Sequence, residues 1–401
     1  MKGVKKLIKT HKVKLKPNKT MIKQLDNLFN YRNFVWNKAL ETWNDLYDLS
    51  LVMDDPMYRP NEYKVRDELV HNKEDWQYAR SSRVLQLTVN DLAKAWKNYF
   101  NQAMPNHHRP KFKSRKHSKK SFKTDYAKIV NGKLRLDKPR GSEGAWFDIA
   151  LAESVRFEGT LKLTTIKQEA DGYYASLNIE IDETPVKRDN KIITGVDVNV
   201  RKFDYKTKEG YATQGTSPIS LLELYQKIAH YQRMLAKKRI SNPNRFNSNN
   251  YRITRTKLKR VYQEVYRIQE DLLHKFAAQL VKDNDVIVIE DLDNNHMKMN
   301  KHLAKNLHRS LFGRFKTILP YKAEWNGATV ILADQFFPST QRCSECGNIK
   351  TGDDKITLAG NIKHHTNHNE YHCYNCGVIL KRDENAVENL IWYGKQALNL
   401  N

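Results

Sequence analysis

Acidic residues that end short apolar runs place the strongest constraint on how this chain can fold. The run Val286–Ile289 leads directly into Glu290, and the apolar pair Ile192-Ile193 is followed shortly by Asp197. Such runs are typical of buried strands, and a buried carboxylate is costly unless a cation or hydrogen bonds compensate it. A third acid, Asp383, begins a helical pattern far along the chain. We therefore expect one sheet to bring the three acids together.

Each acid taken singly is more simply explained as a helix cap or a surface turn residue. Three carboxylates that converge repel one another, so at least one pKa should rise unless a cation is bound. Mg²⁺ suits such a site because it takes few protein carboxylates and leaves positions for water and phosphate. Two such ions, roughly 4 Å apart, promote in-line attack on a phosphodiester.

The charge of the chain narrows the choice of partner. Its 401 residues carry 70 Lys and Arg against 45 Asp and Glu, a net charge of +25. This excess indicates a polyanionic partner, with nucleic acid preferred to an anionic membrane surface. No segment approaches 18 uninterrupted apolar residues, and the first residues contain no continuous apolar segment for export. We therefore expect no membrane partner and a cytoplasmic protein.

All four cysteines lie in two Cys-x-x-Cys pairs, each followed by glycine: Cys343, Cys346, Cys373 and Cys376. This spacing predicts two knuckles that close a tetrahedral thiolate site around a structural Zn²⁺. Disulfides are disfavoured in the expected compartment, and a thioredoxin-like role lacks its βαβ context. Four thiolates already fill the site, so we interpret the nearby histidines, His364, His365, His368 and His372, as solvated loop residues.

Periodicity divides the rest of the chain into recognisable parts. In residues 12–16 charged and apolar residues alternate, which is typical of a strand with one exposed face. Pro17 ends this pattern, and a helical pattern follows. Short strand-like pieces between residues 130 and 183 predict a small β-barrel that also takes in the first strand. Two long helical patterns between residues 219 and 281 are broken by the turn-rich residues 241–250. The basic side of this hairpin could contact nucleic acid or simply face water.

The segment from His107 to Lys120 contains no acid. It could be a flexible linker, but Phe112 lies among its basic residues and Phe122 follows it, which favours contact with RNA or DNA. We expect Phe112 and Phe122 to order the segment, whereas Trp36 and Trp43 of the preceding helix are expected in the core. The residues predicted to meet phosphates are Arg109, Lys111, Lys113, Arg115 and Lys116.

Several of these motifs, in this order and spacing, resemble the TnpB family of RNA-guided endonucleases, which IS200/IS605 and IS607 transposons encode and which is the ancestral relative of Cas12. They are Gly195-Val-Asp-Val, Asp271-Leu-Leu-His-Lys-Phe, Asp285-Val-Ile-Val-Ile-Glu-Asp-Leu, Gln341-Arg-Cys-Ser-Glu-Cys-Gly, Cys373-Tyr-Asn-Cys-Gly and Arg382-Asp-Glu-Asn-Ala. The basic stretch from Arg109 and the helix from Arg32 are similar to the family more weakly. One departure is Asn199, where the family usually has glycine.

The resemblance implies a RuvC-like, RNase H-fold α/β nuclease domain with an inserted zinc ribbon. A wedge-type β-barrel, interrupted by a helical recognition module, is expected to precede it. The corresponding boundaries are residues 1–16 and 105–190 for the barrel, 17–104 for the helical module, 191–340 and 377–401 for the nuclease, and 341–376 for the ribbon. The ribbon is then a module that binds target nucleic acid.

The resemblance also implies a function. We expect a Mg²⁺-dependent DNA endonuclease, guided by RNA from the transposon end, that cuts double-stranded DNA beside a short flanking motif. Asp197, Glu290 and Asp383 would hold two Mg²⁺ ions, and the protein would act as a monomer with its RNA at the nucleoid of a prokaryote. One alternative is an RNA-guided repressor of the same fold that does not cut. Another is a DDE-type transposase, which the position of the ribbon disfavours.

Overall fold

Alternating apolar and charged residues produce strand β1 (Leu7–Lys16), on which Val13 and Leu15 are buried while Lys12 and Lys16 are exposed. The computed structural model describes residues 6–104, 106–114, 118–137, 148–183, 185–199, 202–216, 218–241, 248–291, 309–357, 360–361 and 363–400. The chain divides into two compact units, residues 1–184 and residues 185–401.

Four helices follow β1 in the first unit: α1 (Lys19–Val52), α2 (Glu62–His71), α3 (Asp75–Tyr78) and α4 (Ser82–Phe100). Asn18 begins α1 because its side-chain oxygen accepts a hydrogen bond from the backbone N–H of Met21. Trp36 and Trp43 on α1 are buried, and Trp43 stacks on Trp96 of α4 with ring centroids 5.9 Å apart. Their predicted place in the core is confirmed.

The other strands of the first unit are β2 (Ser121–Thr124), β3 (Lys128–Val130), β4 (Lys133–Arg135), β5 (Asp148–Leu151), β6 (Thr160–Glu169) and β7 (Gly172–Ile181). They form one antiparallel sheet in the order β2-β6-β7-β1-β5-β4-β3. Strand β1 is therefore part of this sheet, as predicted. The described pairings leave β2 and β3 at its edges, so closure into a barrel stays a prediction.

The second unit contains β8 (Ile193–Val198), β9 (Lys202–Thr207), β10 (Gly210–Gly215), α5 (Ser220–Ser241), α6 (Asn249–Asp283), β11 (Val286–Glu290), α7 (Arg309–Asn326), β12 (Thr329–Ala333), β13 (Glu370–His372), β14 (Ile379–Lys381) and α8 (Arg382–Ala397). Five strands form a sheet in the order β10-β9-β8-β11-β12. Strands β8, β11 and β12 are parallel, and β9 and β10 are antiparallel additions to one side.

Helices cover both faces of this sheet, which explains why β11 is apolar throughout. On one face Ile287 and Ile289 pack with Phe276 of α6 and Phe315 of α7. On the other face Val286 and Val288 pack with Leu390 of α8. Helices α5 and α6 extend from the sheet with a separate apolar cluster of their own. They match the two predicted helical patterns, and no helix in the described part of the chain is both long and apolar enough to cross a membrane.

Candidate functional site

The parallel strands β8 and β11 place two of the predicted acids side by side. Their last paired residues are Val196 and Ile289, and the next residue on each strand is Asp197 and Glu290. The carboxyl ends of parallel strands are where α/β sheets usually place their sites. Asp197 is only 4% exposed. The register therefore explains how acids from distant parts of the chain become neighbours.

Asp383 joins this edge from the first turn of α8. One carboxylate oxygen from each of Asp197, Asp204 and Asp383 lies within 4.8 Å of the other two, which is close enough for a shared cation. Glu290 is not one of these three, and its carboxylate instead accepts a hydrogen bond from the hydroxyl of Ser339. The term "carboxylate cluster" is used below for Asp197, Asp204, Asp383 and the adjacent Glu290.

Asp204 is a member of the cluster that sequence reasoning missed. It lies directly opposite Asp197 in the antiparallel pairing of β8 and β9, so both side chains are on the same face of the sheet. Thr213 on β10 donates a hydrogen bond of 2.6 Å to it. Strand alternation is the sequence signal that could have revealed it. Lys202 and Asp204 flank the buried Phe203, so their side chains lie on the face of the strand opposite Phe203.

The electrostatics of the cluster fit an arrangement that a cation would stabilise. Burial raises the pKa of Asp197 well above its ordinary value, and the charges of Glu290, Asp383 and Asp204 raise it further. A hydrogen bond of 2.8 Å from Asn199 opposes this shift. Burial also raises the pKa of Glu290, against the hydrogen bond from Ser339. A bound divalent cation would remove the repulsion, so these residues fit Mg²⁺.

Lys202 places a positive charge within the cluster. Its ammonium group contacts Asp383 and lies 3.0 Å from the nearer carboxylate oxygen of Asp204. Burial alone would lower the pKa of Lys202, but the hydrogen bonds to these two acids raise it. A cavity of about 530 Å³ opens beside Lys202, Asp204 and Asp383. The cluster is therefore accessible from this cavity, and the Lys202 ammonium neutralises part of its negative charge.

Two glycines allow α8 to approach the sheet closely. A Cβ atom at Gly195 on β8 would lie 2.4 Å from the backbone oxygen of Val387 and 2.7 Å from Cβ of Leu390. A Cβ atom at Gly394 on α8 would lie 2.5 Å from a methyl carbon of Val288. Real Cβ atoms do not approach other atoms this closely. The glycines thus set the distance between α8 and β8, and with it the distance from Asp383 to Asp197.

The four cysteines converge as the sequence predicts. The sulfur atoms of Cys343 and Cys376 are 3.8 Å apart, and those of Cys346 and Cys373 are 3.6 Å apart. A tetrahedral site with Zn–S bonds of about 2.3 Å requires sulfur separations of about 3.8 Å. A disulfide requires about 2.05 Å. The four thiols therefore fit Zn²⁺.

The two cysteine pairs have the same backbone geometry. In each, the backbone N–H of the first cysteine donates to a carbonyl five residues later, Asn348 or Val378. Gly347 and Gly377 have φ of +75° and +76°, a left-handed conformation that glycine adopts without strain. Hydrogen bonds, first from the backbone N–H of Asn348, lower the pKa of Cys346 to about 6, which favours its thiolate form.

The nearby histidines differ in their surroundings. His365 and His368 are exposed, as predicted for solvated loop residues. His364 is half-buried instead: it stacks on Tyr374 with centroids 3.7 Å apart, and its ring bonds to Asp354. His372 is half-buried on β13 and bonds to Glu370. The solvated assignment is therefore wrong for His364 and His372, because a flanking aromatic ring and acids within the ribbon provide partners.

The basic segment in the first unit lies along α1. Trp36 donates from its indole to the backbone oxygen of Lys111, and Asn37 makes two hydrogen bonds to the backbone of Lys113. Phe112 is 61% exposed, so the expectation that it orders the segment is wrong. Phe122 is buried against Phe29 of α1, as expected. The segment is therefore ordered by hydrogen bonds from α1 to its backbone, and not by burial of Phe112.

The predicted phosphate-binding side chains of this segment have different environments. Lys111 is exposed, whereas Arg109 bonds to Asn44 and lies over the ring of Trp96. The ammonium of Lys113 lies 3.2 Å from the ring centre of Trp36. Burial, and then the charge of Arg32, lower the pKa of Lys113 to about 7. Arg115 and Lys116 lie outside the described residues, so the role of the whole set stays a prediction.

The fold and the two sites define a class of protein: an α/β sheet with a carboxylate cluster at the ends of its parallel strands, and a four-cysteine ribbon just before the helix that supplies Asp383. Models of protein families match three successive parts of this chain. They are HTH_OrfB_IS605, "Helix-turn-helix domain", at residues 5–50; OrfB_IS605, "Probable transposase", at residues 176–301; and Cas12f1-like_TNB, "Cas12f1-like, TNB domain", at residues 312–390. In the structure, the first match covers β1 and most of α1.

Individual relatives agree with these matches. The chain is 26% identical over 394 residues to a Streptomyces pristinaespiralis protein named "Putative RNA-guided DNA endonuclease", covering 96% of this chain and 89% of that protein. It is 25% identical to "Putative RNA-guided DNA endonuclease InsQ" of Escherichia coli K12, covering 86% and 84%. It is 28% identical to "TnpB-like protein L79" of Acanthamoeba polyphaga mimivirus, covering 50% and 37%. The predicted resemblance to the TnpB family is confirmed by these matches.

A solved structure supports the fold alone. The Cas12f1 chain of a complex described as "Cas12f1-sgRNA-target DNA" superposes with a TM-score of 0.53 at 14% sequence identity. The likeness covers 96% of this chain and 98% of that chain. The arrangement of strands and helices is thus shared over nearly the whole length.

Proposed function

We propose that the protein is an RNA-guided, Mg²⁺-dependent DNA endonuclease of a transposon, which hydrolyses guide-matched DNA beside a short flanking motif. The observation that carries this proposal is the convergence of Asp197, Asp204 and Asp383 within 4.8 Å, next to Glu290. We interpret the five-stranded sheet as an RNase H fold of the RuvC type. The names of the relatives, which describe RNA-guided DNA endonucleases, support this interpretation.

Within this proposal Asp197, Glu290, Asp383 and Asp204 hold the cations. When bound, divalent cations supply Lewis acidity at the attacking water and at the leaving oxygen. The protein supplies fixed geometry: Asn199 restrains Asp197, and Ser339 restrains Glu290. Asp383 is more exposed than the buried Asp197, since 32% of its side chain is accessible. The scissile phosphate therefore approaches the cluster from the side of Asp383.

The partners proposed are a guide RNA from the transposon end and a double-stranded DNA target, bound by a single copy of the protein. The net charge of +25 supports a polyanionic partner. In RNA-guided enzymes the guide reads the sequence by base pairing, and protein contacts follow backbone shape. On α6, the side chains of Arg252, Arg255, Lys257 and Lys259 are exposed, and we propose that they make such contacts. We propose that the four cysteines hold a structural Zn²⁺ that maintains the ribbon.

The proposal is tested by cleavage of a plasmid that carries a target matching the RNA that co-purifies with the protein. We expect Mg²⁺-dependent cleavage by the wild type and none by Asp197→Ala, with RNA binding retained within a few-fold. Asp334→Ala is the matched control, because Asp334 also follows a parallel strand, β12, but is exposed and outside the cluster.

Three outcomes distinguish the alternatives. Specific binding of the target without cleavage in Mg²⁺ would replace the nuclease by a repressor. A joined strand formed without RNA would indicate a transposase. Equal loss of RNA binding and cleavage in Asp197→Ala would show that Asp197 is structural.

A further inference from the structure

A continuous set of hydrogen bonds connects the carboxylate cluster to the four-cysteine site through α8. Two asparagines on this helix, Asn385 and Asn389, are 1% and 0% exposed. They are four residues apart, so both lie on the same face of the helix. Neither belongs to a metal site. Buried amides are costly unless they are hydrogen-bonded, so their partners indicate what they do.

Asn389 joins α8 to the segment that leads into the first cysteine pair. Its amide nitrogen donates to the backbone oxygens of Ser339 and Arg342, at 2.8 and 2.6 Å. Its amide oxygen accepts a hydrogen bond of 2.8 Å from the guanidinium of Arg342. The amide nitrogen and the amide oxygen of Asn389 are therefore both hydrogen-bonded to residues that precede Cys343.

Asn385 completes the attachment from the other side of the same cysteine. Its amide nitrogen donates to the backbone oxygen of Arg342 at 2.7 Å, and its oxygen accepts from the backbone N–H of Ser344 at 2.9 Å. Residues 342 and 344 flank Cys343, so the first knuckle is held by α8 on both sides. We refer to Asn385, Asn389 and their bonds to residues 339–344 as the clasp.

The other end of the clasp reaches the carboxylate cluster by two short routes. Ser339, whose backbone oxygen Asn389 holds, donates its hydroxyl to Glu290. Asp383 precedes Asn385 by two residues in the first turn of α8. A displacement of the knuckle would therefore move the group that orients Glu290 and the helix that carries Asp383.

We propose that Asn385 and Asn389 are positioning residues that couple Zn²⁺ binding at the ribbon to divalent-cation binding at the carboxylate cluster. This inference rests on the two metal sites of the proposed function. Zinc holds the knuckle in the conformation that the clasp recognises, because metal binding and folding are coupled in such modules. Linkage then requires the effect to be reciprocal: a cation at the cluster raises the affinity for zinc by the same factor.

The experiment uses Mn²⁺ as the probe of the cluster, in the full chain without RNA. Free Mn²⁺ is followed by electron paramagnetic resonance, and zinc affinity is measured by competition with a chromogenic indicator. Removal of zinc from the wild type is expected to weaken Mn²⁺ binding about tenfold, the scale of effects from groups that orient ligands. Readdition of zinc should restore it.

Variants assign the coupling to the clasp. Asn389→Ala, with zinc bound, is expected to bind Mn²⁺ about tenfold more weakly and to have a lower affinity for zinc. Asn385→Ser is the second variant, and it tests the clasp if Asn389→Ala does not fold. Tyr393→Phe is the matched control: it removes a hydrogen bond from the backbone N–H of Asp334 to the same helix, away from the knuckle. It should leave both metals unaffected.

The outcomes separate this inference from the proposed function. A zinc-loaded wild type that binds no Mn²⁺ would overturn the cation site, and the proposed function with it. Equal Mn²⁺ affinity with and without zinc would leave the proposed function intact and overturn the coupling. A weakened Mn²⁺ affinity in Tyr393→Phe equal to that in Asn389→Ala would also overturn it, because the effect would then be general to α8.

Discussion

Replacing Gly195 by alanine should damage the carboxylate cluster without touching any of its side chains. The new Cβ would lie 2.4 Å from the backbone oxygen of Val387, whereas ordinary contact begins at 3.4 Å. Helix α8 would have to move by about 1 Å, and a misplacement of that size can reduce catalysis about 100-fold. Overpacking of this kind also destabilises a fold by about 1–3 kcal/mol.

The assay for Gly195→Ala combines three measurements: thermal unfolding, Mn²⁺ affinity and plasmid cleavage. Gly215→Ala is the matched control, since Gly215 is on β10 of the same sheet and a Cβ there meets nothing within 4 Å. We expect Gly195→Ala to lose Mn²⁺ affinity and cleavage at a temperature where it remains folded, and Gly215→Ala to resemble the wild type. If Gly195→Ala binds Mn²⁺ with wild-type affinity, the distance between α8 and β8 does not determine the geometry of the carboxylate cluster.

Three further changes have defined outcomes. Because the folded-state pKa values of Asp197 and Glu290 are raised, these two groups hold more protons in the metal-free fold than in the unfolded chain, and their contribution to the melting temperature should fall as pH rises above the ordinary carboxylate range. Mg²⁺, or Asp197→Asn, should reduce this contribution, and an identical pH dependence of the melting temperature in the wild type and in Asp197→Asn would contradict it. Lys202→Met should bind Mn²⁺ about fivefold more tightly, since two charges 4 Å apart in water interact by about 1 kcal/mol; weaker binding would show that Lys202 positions Asp383 instead. Cys346→Ser should lower zinc content and the stability of the ribbon, whereas unchanged zinc would refute the four-thiolate site.

Local pattern was sufficient to predict several elements of the fold. The apolar run before Glu290 is strand β11, and the break after residue 241 separates α5 from α6. The cysteine spacing predicted the convergence of the four sulfurs. In each of these cases the determining interactions are close in sequence or depend on a single residue type, so no long-range information is needed.

Features that depend on register and on tertiary contacts could not be predicted in the same way. Asp204 enters the cluster because β9 pairs with β8 in one particular register, and a shift by one residue would place it on the opposite face. Phe112 was expected inside because it is aromatic, but the hydrogen bonds from Trp36 and Asn37 hold the backbone without it. Asn385 and Asn389 stand out as polar residues on a buried helical face, but their partners lie about 45 residues earlier.

The residues of the carboxylate cluster are synthesised at different times, because Asp383 lies near the end of the chain. Asp197, Asp204 and Glu290 are translated well before α8, which brings Asp383 and the second half of the clasp. Domains fold as the nascent chain emerges, so a ribosome-bound or prematurely terminated chain can form the first unit and much of the sheet while lacking Asp383. The proposed nuclease would then stay inactive until α8 has been made, and truncated products would lack the cation site that the proposed cleavage needs.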